Sequence, residues 1–508
     1  MIDDLVLTPV GHRRTASTMT PDDLLATAAA LLADGYRVAL IAGHDDGDQL
    51  RAVYLFTAVG PDRRVELHVP LDPAHPNVPS LAGLSFPAGR FEREMHDLFG
   101  IVPDRHPLPR RLVRHFHWPR GWYPMRRDSG EPPAFGDVDG PYDFRAVEGP
   151  GVYEIPVGPV HAGMIEPGHF RFSVVGETIL NLKARLWFVH KGLEKLFHGR
   201  TPDDAVELAE RISGDTAVGH SLAFCLAVED ALGIAVPAEA QTARAVLLEL
   251  ERLYNHVTDI GALCNDVGYG IVNAQTGRVR EQLLRVNETV TGHRLLRGAI
   301  RPGGAMLLRP PDLGVLAEVA ADIAEIVELA LGQSVVRERF TRTAILTRGQ
   351  AHDIGTLGYV ARASGLDTDA RRDHPSGPLV PALTVRTETS GDVLARFAVR
   401  AAEVQTSTQV ITELLTGGNE AATEAASDTP ARGERTVPAS GVGVAEGWRG
   451  TIVHRVELAA DGTLSRVKVV DPSFFNWPAL PVALTDTIVP DFPLANKSFN
   501  LSYAGNDL

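Results

Sequence analysis

The chain has 508 residues, so two to four domains are expected at roughly 100–200 residues each. Hydrophobic residues make up 44% and charged residues 22%, the balance of a folded protein rather than a disordered one. The net charge of −15 argues against a general binder of nucleic acid or anionic lipid, although Arg105, Arg110, Arg111 and Arg114 form one local basic stretch.

Two cysteines, Cys225 and Cys264, exclude a disulfide framework, an iron–sulfur cluster and a Cys-rich zinc site, and they point to a reducing compartment. Met1-Ile2-Asp3-Asp4 has neither the basic start nor the apolar core of a signal peptide. No apolar run approaches the ~18 residues needed to span a bilayer. Even Leu24 to Ile41 is broken by Asp34, Gly35 and Arg37. A soluble chain is expected, with any membrane association made through a partner.

In chain order, Thr20-Pro21-Asp22-Asp23 reads as a helix start, with an apolar face over Leu24–Leu32 and a stop at Asp34-Gly35. Strands are predicted over Arg37–Ala42, Ala52–Ala58 and Val65–Pro70, then a helix over Phe91–Leu98 ending at Gly100. Residues 1–120 thus form a small α/β domain. Residues 121–150, rich in Pro and Gly, read as an extended linker. The third region, 151–508, opens with strands Val152–Val157, Phe170–Val175 and Ile179–Phe188. Helical spacing then runs through Asp203–Ile212, Ala217–Leu232, Ala238–Cys264, Arg278–Arg297 and Leu313–Arg337. Gly417–Gly443 reads as a mobile low-complexity insertion, and Thr451–Leu458 and Leu464–Val470 as closing strands. The fold class is α+β.

The run Phe91-Glu92-Arg93-Glu94-Met95-His96-Asp97-Leu98-Phe99-Gly100-Ile101 is followed by His106-Pro107 and by Tyr123-Pro124-Met125-Arg126-Arg127-Asp128. Alone, the first run is a solvated helix face. In this order the elements resemble the C-type component of bacterial respiratory complex I, where the domain is a scaffold. Further on, a Glu and a His flank a Pro-Gly turn in Glu166-Pro167-Gly168-His169-Phe170, an arrangement suited to proton transfer or simply to a polar turn. Next come Arg211-Ile212-Ser213-Gly214-Asp215-Thr216, His220 one turn later, and Arg301-Pro302-Gly303-Gly304. Together these resemble the D-type component of complex I and, more closely, the large subunit of energy-converting nickel–iron hydrogenases of the formate hydrogenlyase type, which fuse C-like and D-like modules.

The resemblance implies two Cys-x-x-Cys pairs that hold nickel and iron through soft thiolates. Here the first pair falls on Ser213 and Thr216, and the second, after Asp491-Phe492-Pro493-Leu494, on Ser502 and Gly505. A nickel–iron centre is therefore not expected, and no metal ligand is assigned. Cys225 and Cys264 lie on apolar helix stripes and do not replace the lost thiolates. The chain ends just beyond the second pair, where the metal-bearing relatives carry a segment that is clipped.

The resemblance further implies a peripheral electron-transfer subunit of an NADH-quinone oxidoreductase-like or hydrogenase-like membrane complex, on the cytoplasmic face of the plasma membrane. An iron–sulfur cluster would sit in a neighbouring small subunit, with membrane subunits beneath. Glu166, His169, Arg211 and His220 are expected to line a polar cavity, with Glu166 the proton-relay candidate, its pKa raised if buried. Ser213, Thr216 and Ser502 are expected to offer hydroxyls to a quinone carbonyl. The residues that contact quinone in complex I are not matched, since their positions fall near Pro167 and Gly214. NAD chemistry is expected on other subunits of such a complex, because Gly261, Gly268 and Gly270 form no dinucleotide fingerprint. The competing readings are a non-catalytic scaffold and an active hydrogenase built on His161, His169, Asp215 or Asp507. The second suits the metal chemistry poorly, and a packed core around Ser213 and Ser502 would favour the scaffold.

Overall fold

The computed structural model describes residues 6–136, 138–163, 165–417, 425–426 and 438–508. Its contacts divide the chain into two units. One comprises residues up to 146 together with 185–196 and Asp507, and the other comprises the remainder. The architecture is α+β.

In the first unit, five strands form one sheet in the order Thr8–Gly11, Arg14–Thr18, Arg63–Leu71, Leu50–Ala58, Arg37–Asp45. Only Arg14–Thr18 and Arg63–Leu71 run parallel. Helix Pro21–Ala33 starts with Pro21 in its first turn and buries Leu24, Ala28 and Leu31. Helix Phe86–Phe99 ends on a left-handed Gly100, at φ 75°.

That second helix carries the acidic and basic run, and the structure gives Glu92, Arg93 and Asp97 structural tasks. The Glu92 carboxylate accepts from Ser80 Oγ and the Leu81 amide, both at 2.6 Å, and burial raises its pKa to about 7 despite these donors. Asp97 accepts from three successive amides, Leu112, Val113 and Arg114, at 2.7–3.2 Å. Arg93 donates to the carbonyls of Arg110 and Arg111. The helix therefore pins the loops around it, rather than presenting the solvated face that the run suggests when read alone. The basic stretch is partly neutralised, with Arg111 and Arg114 at 3.3 and 2.6 Å from Asp139. Residues 121–146 hold no helix or strand among those described and cluster with this unit.

In the second unit, strands Val152–Val157, His169–Val175 and Thr178–Arg185 form one antiparallel sheet. A second sheet joins Ala439–Gly447, Gly450–Leu458 and Leu464–Val470. Helix Ala217–Leu232 lies on that second sheet, at a separation set by glycine: a Cβ on Gly441 or Gly443 would meet the carbonyls of Ala227 and Ala223 at 2.0 and 1.9 Å. Around this core stand the helices Ala238–Asp266, Gly270–Thr291, Leu313–Gly332 and Val393–Thr416.

Several element boundaries differ from expectation. The helix expected over Arg278–Arg297 spans Gly270–Thr291, and the one over Leu313–Arg337 breaks at Gln333, with Ser334–Phe340 as a separate helix. Strand Ile179–Phe188 ends at Arg185. Most of the expected insertion Gly417–Gly443 lies outside the described residues. Its last part, Ala439–Gly443, is strand, because its small residues admit the covering helix.

Candidate functional site

The turn after helix Pro202–Ala209 delivers Ser213 to the interior, and Thr216 begins helix Ala217–Leu232. From the far end of the chain, Ser502 caps the short helix Tyr503–Asp507, accepting from the Gly505 amide at 2.8 Å. The two segments meet. Ser213 Oγ and Ser502 Oγ are 2.8 Å apart, and both residues are buried, 3% and 5% exposed. Thr216 joins them through Asp215, whose Oδ1 accepts from Ser213 Oγ and from Thr216 Oγ1, each at 2.9 Å. At Gly505 a Cβ would come within 2.6 Å of the Asp471 carboxylate, which would have to shift to admit a side chain.

Arg449 closes the cluster. Its two terminal nitrogens meet the two oxygens of Asp215 at 2.7 Å each, a bidentate pair. Arg449 Nε donates to the Asn500 carbonyl, and the guanidinium stacks 3.9 Å from the Trp448 ring. The Trp448 indole N–H in turn faces Thr216 Oγ1 and the Asp215 carbonyl, both at 3.1 Å. Burial would raise the Asp215 carboxyl, but the Arg449 charge and the hydrogen bonds from Arg449, Ser213 and Thr216 outweigh it and hold the pKa at about 2. The Asp215 side chain remains 39% exposed, so the carboxylate is the part of the cluster that meets solvent.

Beneath lies a second group. His220 is fully buried, with Nε2 3.0 Å from Asp471 Oδ2 and Nδ1 3.1 Å from His454 Nε2. Burial would raise Asp471, but the His220 hydrogen bond and charge keep it below the ordinary carboxyl range. Burial pushes His454 well below the usual imidazole range. On the other side of Thr216, Glu251 accepts from the amides of Val218 and Gly219 at 2.7 and 2.9 Å. Burial carries its pKa up to about 8 despite those donors.

The other expected lining residues do not join this centre in the same way. Arg211 is exposed and pairs with Glu207 at 2.6 Å, because the turn after helix Pro202–Ala209 that carries Ser213 inward points Arg211 outward. Glu166 lies exposed in the loop before strand His169–Val175 rather than among apolar residues, and its Oε2 accepts from the Ala504 amide at 3.0 Å. It therefore anchors the helix that Ser502 caps. His169 Nδ1 and His161 Nε2 face the carbonyls of Gly158 and Gly168, tying that loop shut. Gly261 serves helix packing, since a Cβ would lie 1.8 Å from Thr276 Oγ1.

Arg449, Trp448, Asp471, His454 and Glu251 escape a reading of local motifs. A signal did exist for three of them. Asp471-Pro472-Ser473 is a helix start, and Trp448-Arg449 falls between two strands whose alternation predicts a tight hairpin.

Against known families, residues 17–132 match the respiratory-chain NADH dehydrogenase 30 Kd subunit, residues 191–264 nickel-dependent hydrogenase, and residues 266–439 the respiratory-chain NADH dehydrogenase 49 Kd subunit. These matches define the class: a large subunit in which the 30 Kd-like and 49 Kd-like parts share one chain. Formate hydrogenlyase subunit 5 of Escherichia coli (strain K12) is 32% identical over 87% of this chain and 79% of its own. Hydrogenase-4 component G of the same organism is 34% identical over 82% and 73%. The C/D subunit of NADH-quinone oxidoreductase from Phocaeicola vulgatus is 30% identical over 67% and 70%. The chain belongs to the family these proteins represent. Its fold is also that of a chain in the membrane-bound sulfane sulfur reductase, an archaeal respiratory membrane complex, with a TM-score of 0.65 at 23% identity over 70% of this chain and 98% of that one.

The donor set at Ser213, Thr216, Ser502 and Gly505 does not fit the nickel–iron group that the family match suggests. Neutral hydroxyls are hard, weak ligands, glycine offers no side chain, and the nearest carboxylate is already held by Arg449.

Proposed function

We propose that this chain is a metal-free peripheral subunit of a membrane-bound complex of the hydrogenase and complex I type. The observation that carries the reading is the direct Ser213–Ser502 hydrogen bond, locked by the Asp215–Arg449 pair. Where thiolates would carry negative charge to balance two metals, this cluster balances one carboxylate with one guanidinium and satisfies its own hydroxyls.

The quinone expectation rests on the same hydroxyls. Each is already engaged within the cluster, so a quinone carbonyl would have to displace a partner, and Asp215 is the member that meets solvent. The geometry thus favours a cluster that joins the two ends of the hydrogenase-like region over one that accepts electrons. A small iron–sulfur subunit and membrane subunits are the partners this reading requires, and nucleic acid is not among them. Among the described residues, no helix is long and apolar enough to cross a membrane, which agrees with peripheral attachment through those partners.

The test separates assembly from turnover. In the intact complex, Arg449→Met and Ser502→Ala are expected to lower the amount of assembled complex, leaving quinone reduction per assembled complex unchanged. Normal assembly with quinone turnover reduced at least tenfold would instead place an electron acceptor at this cluster.

A further inference from the structure

A separate set of charges lies behind the Trp448–Arg449 hairpin. The Arg362 guanidinium serves three carboxylates at once. Its Nη1 is 2.9 Å from Glu446 and 3.5 Å from Asp369, while Nε and Nη2 reach Glu403 at 2.9 and 2.7 Å. Asp369 has Arg371 besides, at 2.6 Å, and Glu403 has His256 at 2.7 Å. Arg371 also binds Glu249, which accepts from Arg252 and Ser407. In this buried cluster the carboxylates of Glu249, Asp369, Glu403 and Glu446 face the guanidiniums of Arg252, Arg362 and Arg371. One negative charge is left uncompensated in a low-dielectric interior, where it is costly.

Glu446 is where that charge falls. Of the three carboxylates on Arg362 it alone has no second cation or imidazole within hydrogen-bond distance among the described residues; its other donors are the Ala370 amide at 3.1 Å and Thr451 Oγ1 at 2.8 Å. Two carboxylates on one guanidinium nitrogen resist ionising together. A crevice whose lining contains Glu249 and Arg371 borders the cluster.

Glu446 also sits next to the hairpin tip. Arg252 holds the carbonyls of Glu446 and Gly447 at 2.7 and 3.1 Å, and the following residues are the Trp448 and Arg449 that close over Asp215 and Thr216. We propose that the Glu446 carboxyl is a proton-binding site, loaded from the crevice at Glu249, that sets how firmly the Trp448–Arg449 tip is held over Asp215. Binding adds one proton from water and changes no other covalent bond. The Thr451 hydroxyl turns from donor to acceptor, and the ionic hold of Arg362 on the strand weakens. The proposal goes beyond the metal-free reading and stands without it.

Burial and the Asp369 charge move the Glu446 carboxyl upward, while His256 is carried down to about 4 and Asp215 lies near 2. Glu251, at about 8, is a buried acid facing Asp215 and serves as a control. The experiment is fluorine NMR of the full chain labelled with 5-fluorotryptophan, with the Trp448 signal assigned by Trp448→Phe. The signal is expected to titrate with a midpoint above that of a free glutamate, about 4.3. It should be flat in Glu446→Gln and unchanged in Glu251→Gln. Glu403→Gln removes a neighbouring negative charge and should lower the midpoint, which keeps the proposal testable if the Glu446 variant does not fold. A flat wild-type signal, a titration that survives Glu446→Gln, one abolished by Glu251→Gln, or a midpoint unmoved by Glu403→Gln would each overturn it.

Discussion

At the residue scale, Asp215 and Arg449 form the pair on which the site depends. Arg449 is almost fully buried, whereas Asp215 is 39% exposed, so removal of either partner is felt unequally. A double-mutant cycle of Asp215→Asn and Arg449→Met, read by urea denaturation, is expected to give a coupling of about 1–2 kcal/mol. That lies below the ~3–5 kcal/mol cost of breaking a fully buried pair, because solvent screens Asp215. Glu251 supplies a pH test. Its folded pKa, near 8, is above the unfolded value, so the stability it contributes is complete at acid pH and is lost as pH rises through about 8. Relative to wild type, Glu251→Gln should gain stability between about pH 4 and pH 8 and hold that gain above. A difference that stays constant across this range would show that Glu251 is not buried as described. Ser213, Thr216, Ser502 and Gly505 can be singled out from sequence because their spacing matches a motif. Arg449 can be placed at a hairpin turn but not paired with Asp215, which lies 234 positions away.

At the element scale, helix and strand periodicity is legible wherever the buried face is apolar. Helix Ala217–Leu232 has the boundaries its pattern predicts. Helix Val393–Thr416 is not legible in this way, because the face it buries carries Arg396, Arg400, Glu403, Thr406 and Ser407, which breaks the apolar stripe that a helix reading relies on. The Ala/Gly-rich start of strand Ala439–Gly447 misleads for the opposite reason, as its missing side chains are what let helix Ala217–Leu232 pack. Gly443→Ala would place a methyl 1.9 Å from the Ala223 carbonyl. It is expected to cost about 1–3 kcal/mol or more, the range of overpacking, and to lower the urea midpoint. A variant as stable as wild type would mean that strand and helix do not lie this close.

At the scale of the whole molecule, composition already excludes a disulfide-rich scaffold, and the family matches agree with the motifs on a fused large subunit. What the sequence leaves open is whether Ser213, Thr216 and Ser502 converge. They do, on one another and on the Asp215–Arg449 pair. Expressed without partners, the chain is expected in the supernatant after ultracentrifugation, and with them in the membrane fraction. Sedimentation with membranes in the absence of any partner would contradict peripheral attachment. The account is tested most directly by elemental analysis of the intact complex purified under nickel-replete growth. It predicts no nickel that scales with this subunit. One nickel per chain, lost on Ser213→Ala or Ser502→Ala, would contradict it.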